Sequence, residues 1–184
     1  MHETDRYAYP HRVLHWLVAA VLLFSLATGL TLGALGFEGA RDALGMAMTN
    51  LLYTAHKTLG VMILGLMIAR VVTRSIFVVP LHDPPLSAFQ YTLSHGVHAL
   101  LYLVLLVQPV LGWVATATGG FPVQFFHWTL PPLMGENEAL SEQLYTWHAW
   151  VGWTILVLVA LHIAGAFYHW LFVRDGVMKR MSLF

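Results

Sequence analysis

The chain contains no cysteine in its 184 residues. This absence excludes disulfides, zinc sites with thiolate ligands, iron–sulfur clusters and thioether attachment of a cofactor to a Cys-x-x-Cys-His motif. Charge is scarce as well: Asp, Glu, Lys and Arg make up 10% of the chain, and the formal net charge is zero with histidine neutral. A chain without excess positive charge does not favour nucleic-acid binding, so we expect no nucleic-acid partner.

Hydrophobic residues take the place of the missing charge. They make up 58% of the chain and give a mean hydropathy of +0.69, whereas soluble domains average about 45–50% apolar and about 25% charged residues. A helix needs about 20 mostly apolar residues to cross roughly 30 Å of hydrocarbon. Four segments meet this requirement, at about 12–35, 51–73, 93–117 and 145–172. We therefore predict an all-α integral membrane four-helix bundle that forms one domain over residues 1–184.

The predicted connections differ in length and composition. The first, at about 36–50, is short and partly charged. The second, at about 74–92, contains VVPLHDPPLS, whose prolines oppose continuation of a helix. The longest, at about 118–144, contains FFHW, which is typical of the aromatic belt at a membrane interface. Its end is expected to form a short surface helix.

Basic residues are distributed unequally between the two ends of the predicted bundle. With the N-terminus inside, the cytoplasmic side holds seven of them and the opposite side two: Arg6, Arg12, Arg70, Arg74, Arg174, Lys179 and Arg180 against Arg41 and Lys57. Cytoplasmic loops of membrane proteins carry the excess of Lys and Arg. The bias therefore predicts that both the N and C termini are cytoplasmic.

Histidine is the unusual component of the predicted spans. The chain has 11 histidines, and two of them, His148 and His162, occupy positions i and i+14 in the fourth span. At 100° per residue they fall within about 40° of the same helix face, and at 1.5 Å per residue they are roughly 21 Å apart along the axis. The fourth helix is therefore predicted to present one imidazole near each membrane surface.

Two other helices offer a partner at each of these levels. His15 lies near the start of the first helix and His56 near the start of the second. In an antiparallel bundle, His15 is then closer to the level of His162, and His56 to that of His148. Two neutral imidazoles per site, in an apolar bundle without cysteine, fit bis-histidine ligation of b-type haem. The alternatives are histidines that hydrogen-bond another helix, or zinc, which prefers close tetrahedral clusters.

Residues on the facing helices support two haem sites. Gly29 follows His15 at the same i+14 spacing and leaves a gap at the outer level. Arg70 follows His56 at this spacing too and lies at the inner level, where its guanidinium can pair with a haem propionate. Lys57 can play the same part at the outer level.

The remaining histidines allow more than one interpretation. His98 enters the third helix with His95 and lies near the depth of His15, so helical geometry leaves it open as an inner ligand or as a partner of a propionate or helix. His169 lies seven residues after His162, which suits either a proton donor to a small redox partner or an interfacial anchor. Four histidines are assigned to tails or loops without a role: His2, His11, His82 and His127.

Taken together, several segments resemble the bacterial cytochrome b561 family of four-helix, di-haem membrane cytochromes. These segments are RVLHWL around His15, HKTLG from His56, SHGVHALLYLVLLVQPVLGW from Ser94, YTWHAWVGW around His148 and LHIAGAFYHWLFVRDGVMKRM from Leu161. The resemblance implies that His15 and His162 ligate the iron of the cytoplasmic-side haem. It implies that His56 and His148 ligate the periplasmic-side iron, and that His98 is not a ligand.

The same resemblance implies a function in the bacterial inner membrane. Members of the family pass electrons between a periplasmic partner and the quinone pool. One branch oxidises superoxide and reduces ubiquinone, with a histidine at the position of His169 in the quinone region. We therefore expect as partners membrane lipid, ubiquinone or another quinone, and a periplasmic electron donor, either a small molecule such as superoxide or a protein.

Two alternatives belong to other functional classes. The first is a non-catalytic cytochrome b subunit or membrane anchor that connects a separate periplasmic redox enzyme to quinone. The second, a histidine-lined proton or metal transporter, predicts a protein without haem.

Overall fold

Four long helices dominate the computed structural model, which describes residues 6–80 and 86–184. The helices are α1 (Tyr9–Leu44), α2 (Met46–Ile76), α3 (Ala88–Thr118) and α4 (Glu138–Tyr168). A two-stranded hairpin of β1 (Val123–Phe125) and β2 (Trp128–Leu130) lies between α3 and α4. After α4 come a π-helical turn (His169–Val173) and a short helix α5 (Val177–Met181). Two of the histidines assigned to tails or loops, His2 and His82, lie outside the described residues.

All four long helices are long and apolar enough to cross a membrane. Their most apolar 18-residue windows have mean hydropathies of 1.8 to 2.1, yet only 11–22% of the residues in each window are buried within the protein. Apolar surface on this scale needs an apolar surrounding, since a soluble monomer rarely exposes large contiguous apolar patches. The predicted membrane four-helix bundle is therefore confirmed as the fold.

The first connection differs from the prediction, because the segment at about 36–50 is almost entirely helical. A kink at Gly36 (φ 65°) redirects α1, and Gly45 (φ 79°) alone separates α1 from α2. Glycine adopts positive φ without the steric penalty of a Cβ, so single residues suffice for both changes of direction. Between them Ala40 is fully buried, within a charged stretch that folds as helix.

The long connection at about 118–144 also differs from the prediction. Its end is not a separate surface helix: it is the beginning of α4, which Asn137 caps by accepting a hydrogen bond from the Leu140 N–H at 3.0 Å. The FFHW segment forms the β-hairpin, with Phe125 opposite Trp128 and Phe126 in the turn at φ 55°.

Three hydrogen bonds attach the β-hairpin to one short stretch of α2. Thr54 Oγ1 donates to Gln124 Oε1 at 3.0 Å, and the Phe126 N–H donates to Thr58 Oγ1 at 3.0 Å. Lys57 Nζ donates to the carbonyl of Pro122 at 2.9 Å. The hairpin and the residue before it therefore hold residues 54–58 of α2 at one end of the bundle, which we call the hairpin side.

The two chain ends meet at the opposite end of the bundle, which we call the termini side. The Tyr7 N–H donates to the Arg180 carbonyl at 3.2 Å. Trp16 Nε1 donates to the Met181 carbonyl at 2.8 Å. Because the segment around α5 is bound to the start of α1, it covers the bundle on this side.

Candidate functional site

Every long helix carries three residues at seven-residue intervals that align with those of its neighbours; eleven of the twelve are buried or half-buried, and His98 is exposed. They are His15, Leu22 and Gly29 on α1; His56, Ile63 and Arg70 on α2; His98, Leu105 and Gly112 on α3; and His148, Ile155 and His162 on α4. Seven residues make about two helical turns, or roughly 10 Å of rise, so each set lies along one helix face. Because neighbouring helices run in opposite directions, the twelve residues form three layers of four.

The middle layer is apolar. Leu22, Ile63, Leu105 and Ile155 all belong to the buried core cluster, together with Val18 and Met67. Ile155 is seven residues from both His148 and His162 and is 1% exposed. The layer therefore separates the polar groups of the hairpin side from those of the termini side by closely packed hydrocarbon.

The hairpin-side layer brings together His56 and His148, as helical spacing predicted. Their ring centroids are 6.0 Å apart and their planes are perpendicular, at 90°. Glycines stand beside both rings: a Cβ added at Gly29 would lie 2.6 Å from His56 Cε1, and one at Gly112 would lie 2.9 Å from His148 Cε1. Any other residue at Gly29 or Gly112 would have to displace the imidazole, so the glycines define the space of this layer.

Hydrogen bonds orient the imidazole of His56. Its Nδ1 lies 3.1 Å from the carbonyl oxygen of Ser25 and 3.2 Å from Thr28 Oγ1. A carbonyl only accepts, so the proton is on Nδ1 and the lone pair of Nε2 is free for a metal. On the facing helix, Gln108 Nε2 donates to the backbone carbonyl of His148 at 2.9 Å, whereas His148 Nδ1 is buried with no hydrogen-bond partner among the described residues.

The termini-side layer contains three imidazoles instead of two. His15 and His162 have ring centroids 6.0 Å apart with a 64° angle between planes. His98 and His162 are closer still, at 5.0 Å and 89°. His98 Nδ1 donates to the Ser94 carbonyl at 2.6 Å, which leaves its Nε2 lone pair free. The structure thus brings together the pair predicted from spacing and also the histidine that spacing left open.

Arg70 completes the termini-side layer with a buried cation. It is 9% exposed and lies near the rings of His15, His98 and His162. Its Nη2 lies 3.5 Å from the Tyr102 hydroxyl, but its Nη1 is buried without a hydrogen-bond partner in the described part of the chain. A buried guanidinium is costly unless an anion compensates it, so this position fits an anionic group.

The geometry fits two haem groups, each between two imidazoles. A metal–imidazole bond of about 2 Å plus about 1 Å from nitrogen to ring centre puts two axial rings about 6 Å apart. Both predicted pairs show 6.0 Å. Within residues 6–80 and 86–184, no group of three or more His, Asp or Glu could hold a metal ion alone. Arg70 supplies the charge that a propionate needs.

Lys57 does not belong to either layer. Its ammonium group is bound to the Pro122 carbonyl of the hairpin connection, although an ammonium has three donors and can bind a second acceptor. Lys57 therefore remains a predicted propionate partner for the hairpin side, with an additional structural contact.

His169 forms a dyad with Asp175, a residue that the sequence interpretation missed. Nδ1 of His169 lies 2.5 Å from Asp175 Oδ2, and the two side chains are 15% and 7% exposed. The other carboxylate oxygen of Asp175 accepts the Val177 N–H at 3.1 Å. The π-helical turn at His169–Val173 and the left-handed Arg174 (φ 56°) bring the chain back so that the carboxylate reaches the ring. The sequence offered one signal for this contact: Asp175 lies six residues after His169 and directly precedes a glycine.

Three other histidines lie outside the layers. His11 corrects its assignment to a tail: it is in the first turn of α1, is 2% exposed and stacks on Tyr7 with centroids 5.5 Å apart. His95 is exposed, with Nδ1 bonded to the Tyr91 carbonyl at 2.9 Å. His127 lies in the hairpin turn, beside Trp128.

Known proteins with similar sequences point to one family. The family model for prokaryotic cytochrome b561 matches residues 6–182. Cytochrome b561 homolog 2 of Escherichia coli (strain K12) is 26% identical over 178 residues, covering 96% of this chain and 91% of that protein. Cytochrome b561 homolog 1 of the same organism is 26% identical over 180 residues, covering 96% and 97%.

A third relative has a functional name. The probable superoxide oxidase CybB of Yersinia pestis is 24% identical over 168 residues, covering 91% of this chain and 90% of that protein. The family match spans nearly the whole chain, including all four long helices and both histidine-containing layers. The chain therefore belongs to the prokaryotic cytochrome b561 family of membrane electron-transfer proteins, whose cofactor is haem b.

Proposed function

We propose that this protein binds two haem b groups by bis-histidine ligation and transfers electrons across the bacterial inner membrane, between a periplasmic donor and the quinone pool. One observation carries the proposal: two imidazole pairs with 6.0 Å between centroids lie on either side of a buried apolar layer. Their shared helix α4 separates the two pairs by roughly 21 Å of rise, so the pairs lie towards opposite membrane surfaces.

The proposed ligands follow from the two pairs. His56 and His148 hold the haem on the hairpin side, and His15 and His162 hold the haem on the termini side. Arg70 pairs with a propionate on the termini side and Lys57 with one on the hairpin side. By the positive-inside rule the termini side is cytoplasmic, which makes the hairpin side periplasmic.

Haem iron, when bound, supplies reversible one-electron chemistry. The chain's own residues provide orientation and insulation. The Ser25 carbonyl fixes the ring of His56, and the Gln108 amide holds the backbone of α4 at His148. The middle layer excludes water between the two sites, which keeps the local dielectric low and reduces solvent reorganisation during electron transfer.

We propose that the quinone, ubiquinone or another quinone, is reduced on the termini side. Reduction of a quinone to a quinol takes up two protons as well as two electrons, so a proton donor near the cytoplasmic surface is needed. His169 is the candidate. Its bond to Asp175 holds Nδ1 and orients the ring, which leaves Nε2 to pass a proton to the quinone.

The electron donor on the hairpin side is superoxide or a periplasmic protein. The name of the Yersinia relative supports superoxide. The charge of the hairpin side supports a protein: Arg41 is bound by Glu38 and Asp42, and three more acidic residues follow the hairpin at Glu136, Glu138 and Glu142. This acidic surface repels a small anion and therefore favours the alternative function, in which the protein connects a separate periplasmic redox enzyme to quinone.

Electron transfer by the purified protein in quinone-containing liposomes tests the proposal. Superoxide is generated outside the vesicles, and haem reduction and quinol formation are followed by absorbance. Fast haem reduction followed by quinol formation supports the superoxide-driven reaction. Haem reduction by dithionite but not by superoxide supports the connecting subunit. Haem that never transfers an electron to quinone contradicts both.

A further inference from the structure

The two helical hairpins of the bundle carry the same pattern of residues. α1 and α3 both read His-x6-Leu-x6-Gly, with His15 and Gly29 in one and His98 and Gly112 in the other. α2 and α4 both read His-x6-Ile-x6 followed by a basic or imidazole side chain, Arg70 or His162. His98 is thus the counterpart of His15 in the second hairpin.

Because of this repeat, the two outer layers hold different numbers of imidazoles. On the hairpin side the repeated positions are His56 with His148 and Gly29 with Gly112, so that layer has two imidazoles and two residues without side chains. On the termini side the repeated positions hold His15 with His98, and His162 with Arg70. This layer therefore has one imidazole more than a bis-histidine site requires.

The third imidazole is prepared for metal binding in the same way as an assigned ligand. Nδ1 of His98 donates to the Ser94 carbonyl at 2.6 Å, just as Nδ1 of His56 donates to the Ser25 carbonyl at 3.1 Å. In both rings this leaves the Nε2 lone pair available. His98 is exposed and meets the ring of His162 edge to face, with a centroid distance of 5.0 Å and 89° between the planes.

We propose that His98 is a reserve axial ligand for the haem iron of the termini side, which pairs with His162 when His15 is removed or displaced. The exchange breaks the bond from His15 Nε2 to iron and forms one from His98 Nε2, with no change in oxidation state. This inference rests on the proposed function, because it requires haem at this layer.

The distances explain why His15 is the ligand in the resting protein. Two axial imidazoles lie about 6 Å apart across a metal, which is the separation of His15 from His162 at 6.0 Å. His98 is 5.0 Å from His162, so its side chain must move outward by about 1 Å before a metal fits between the rings. The need for this shift makes His98 the second choice.

Haem stoichiometry in ligand variants of the full-length protein tests the proposal. The variants are His15→Ala, His98→Ala and the double variant, each purified in detergent, with the haem-to-protein ratio and the visible and electron paramagnetic resonance spectra as readouts. We expect His98→Ala to retain two haems. His15→Ala should also retain two haems, both six-coordinate and low-spin, and the spectroscopic signal of the termini-side haem should change. The double variant should retain one haem.

The other layer provides the matched control and the control for folding. His56→Ala has no reserve imidazole and should retain one haem. In the His15 variants, retention of the hairpin-side haem shows that the protein is folded. If His15→Ala is poorly stable, His15→Gln, a polar replacement of similar length, repeats the test. Retention of only one haem in both His15 variants, or a five-coordinate high-spin iron that binds carbon monoxide, overturns the reserve-ligand proposal. Wild-type protein without two haems would instead overturn the proposed function.

Discussion

The hairpin-side and termini-side layers occupy equivalent places in a repeated helical pattern but are built on different principles. The hairpin side removes side chains: Gly29 and Gly112 sit against the rings of His56 and His148. The termini side adds polar groups, with a third imidazole at His98 and a buried cation at Arg70. The hairpin-side layer therefore leaves space beside its two imidazoles, and the termini-side layer adds a third imidazole and a buried cation.

Removing a ligand should separate the two layers most clearly. We expect His148→Ala to abolish haem binding on the hairpin side, because the flanking glycines offer no substitute ligand, and to leave the termini-side haem in place. The haem-to-protein ratio should fall from two to one. If His148→Ala keeps two haems, the pairing of His56 with His148 is wrong.

Adding a side chain should damage the hairpin side nearly as much. In Gly29→Val, a Cβ that would lie 2.6 Å from His56 Cε1 forces the ring away from its position. Overpacking of this kind costs about 1–3 kcal/mol, which corresponds to roughly 5- to 150-fold weaker haem binding. Haem titration of the apoprotein measures the change.

Gly33 provides the matched control on the same helix, since a Cβ there would meet nothing within 4 Å. Gly33→Val should bind haem as the wild type does. Equal losses in both variants would mean that helix flexibility, and not the close approach at Gly29, is responsible.

The dyad beyond the termini-side layer should affect quinone reduction without affecting haem. In Asp175→Asn the carboxylate that orients the His169 ring is lost, so we expect kcat for quinone reduction to fall at least about tenfold, with the roughly 10²–10⁴-fold contribution of general acid catalysis as the upper limit. Haem content and the rate of haem reduction by the donor should not change. The control is Asp42→Asn, at an exposed carboxylate on the hairpin side, which should leave kcat unchanged. An unchanged kcat in Asp175→Asn would exclude the dyad from proton delivery.

Removing the buried cation should have the smallest effect, on redox potential. Positive charge near iron stabilises the reduced state, so Arg70→Gln should lower the midpoint potential of the termini-side haem, on the order of 60 mV for a loss of about 1.4 kcal/mol. Potentiometric titration resolves the two haems. The control is Arg74→Gln, which removes a more exposed cation stacked on the same Tyr102 ring and should shift the midpoint potential of the termini-side haem less. An equal shift in both variants would assign the effect to general surface charge.

Helical periodicity predicted much of this arrangement. Apolar segments predicted the four helices, and the i, i+14 spacing between antiparallel helices predicted that His15 meets His162 and His56 meets His148, because both rest on the regular geometry of a helix. The spacing left open the contact of His98 with His162. The same rule could have identified Gly112, which follows His98 at this spacing, and with it the repeat between the two hairpins.

Features that depend on irregular backbone were not predictable in this way. The β-hairpin requires Phe126 at φ 55°, a conformation that its residue type does not favour. The contact of Asp175 with His169 requires a π-helical turn followed by a left-handed residue. Burial of His11 depends on packing within the folded bundle, which sequence position alone does not give.

The haem content of the purified wild-type protein tests the central claim most directly. A reduced-minus-oxidised visible spectrum with quantified haem should give two low-spin b-type haems per chain, one in each of the two histidine layers. A protein that folds and purifies from a haem-sufficient host with no Soret and α-band signal, or with a single haem that survives loss of either pair, would contradict it.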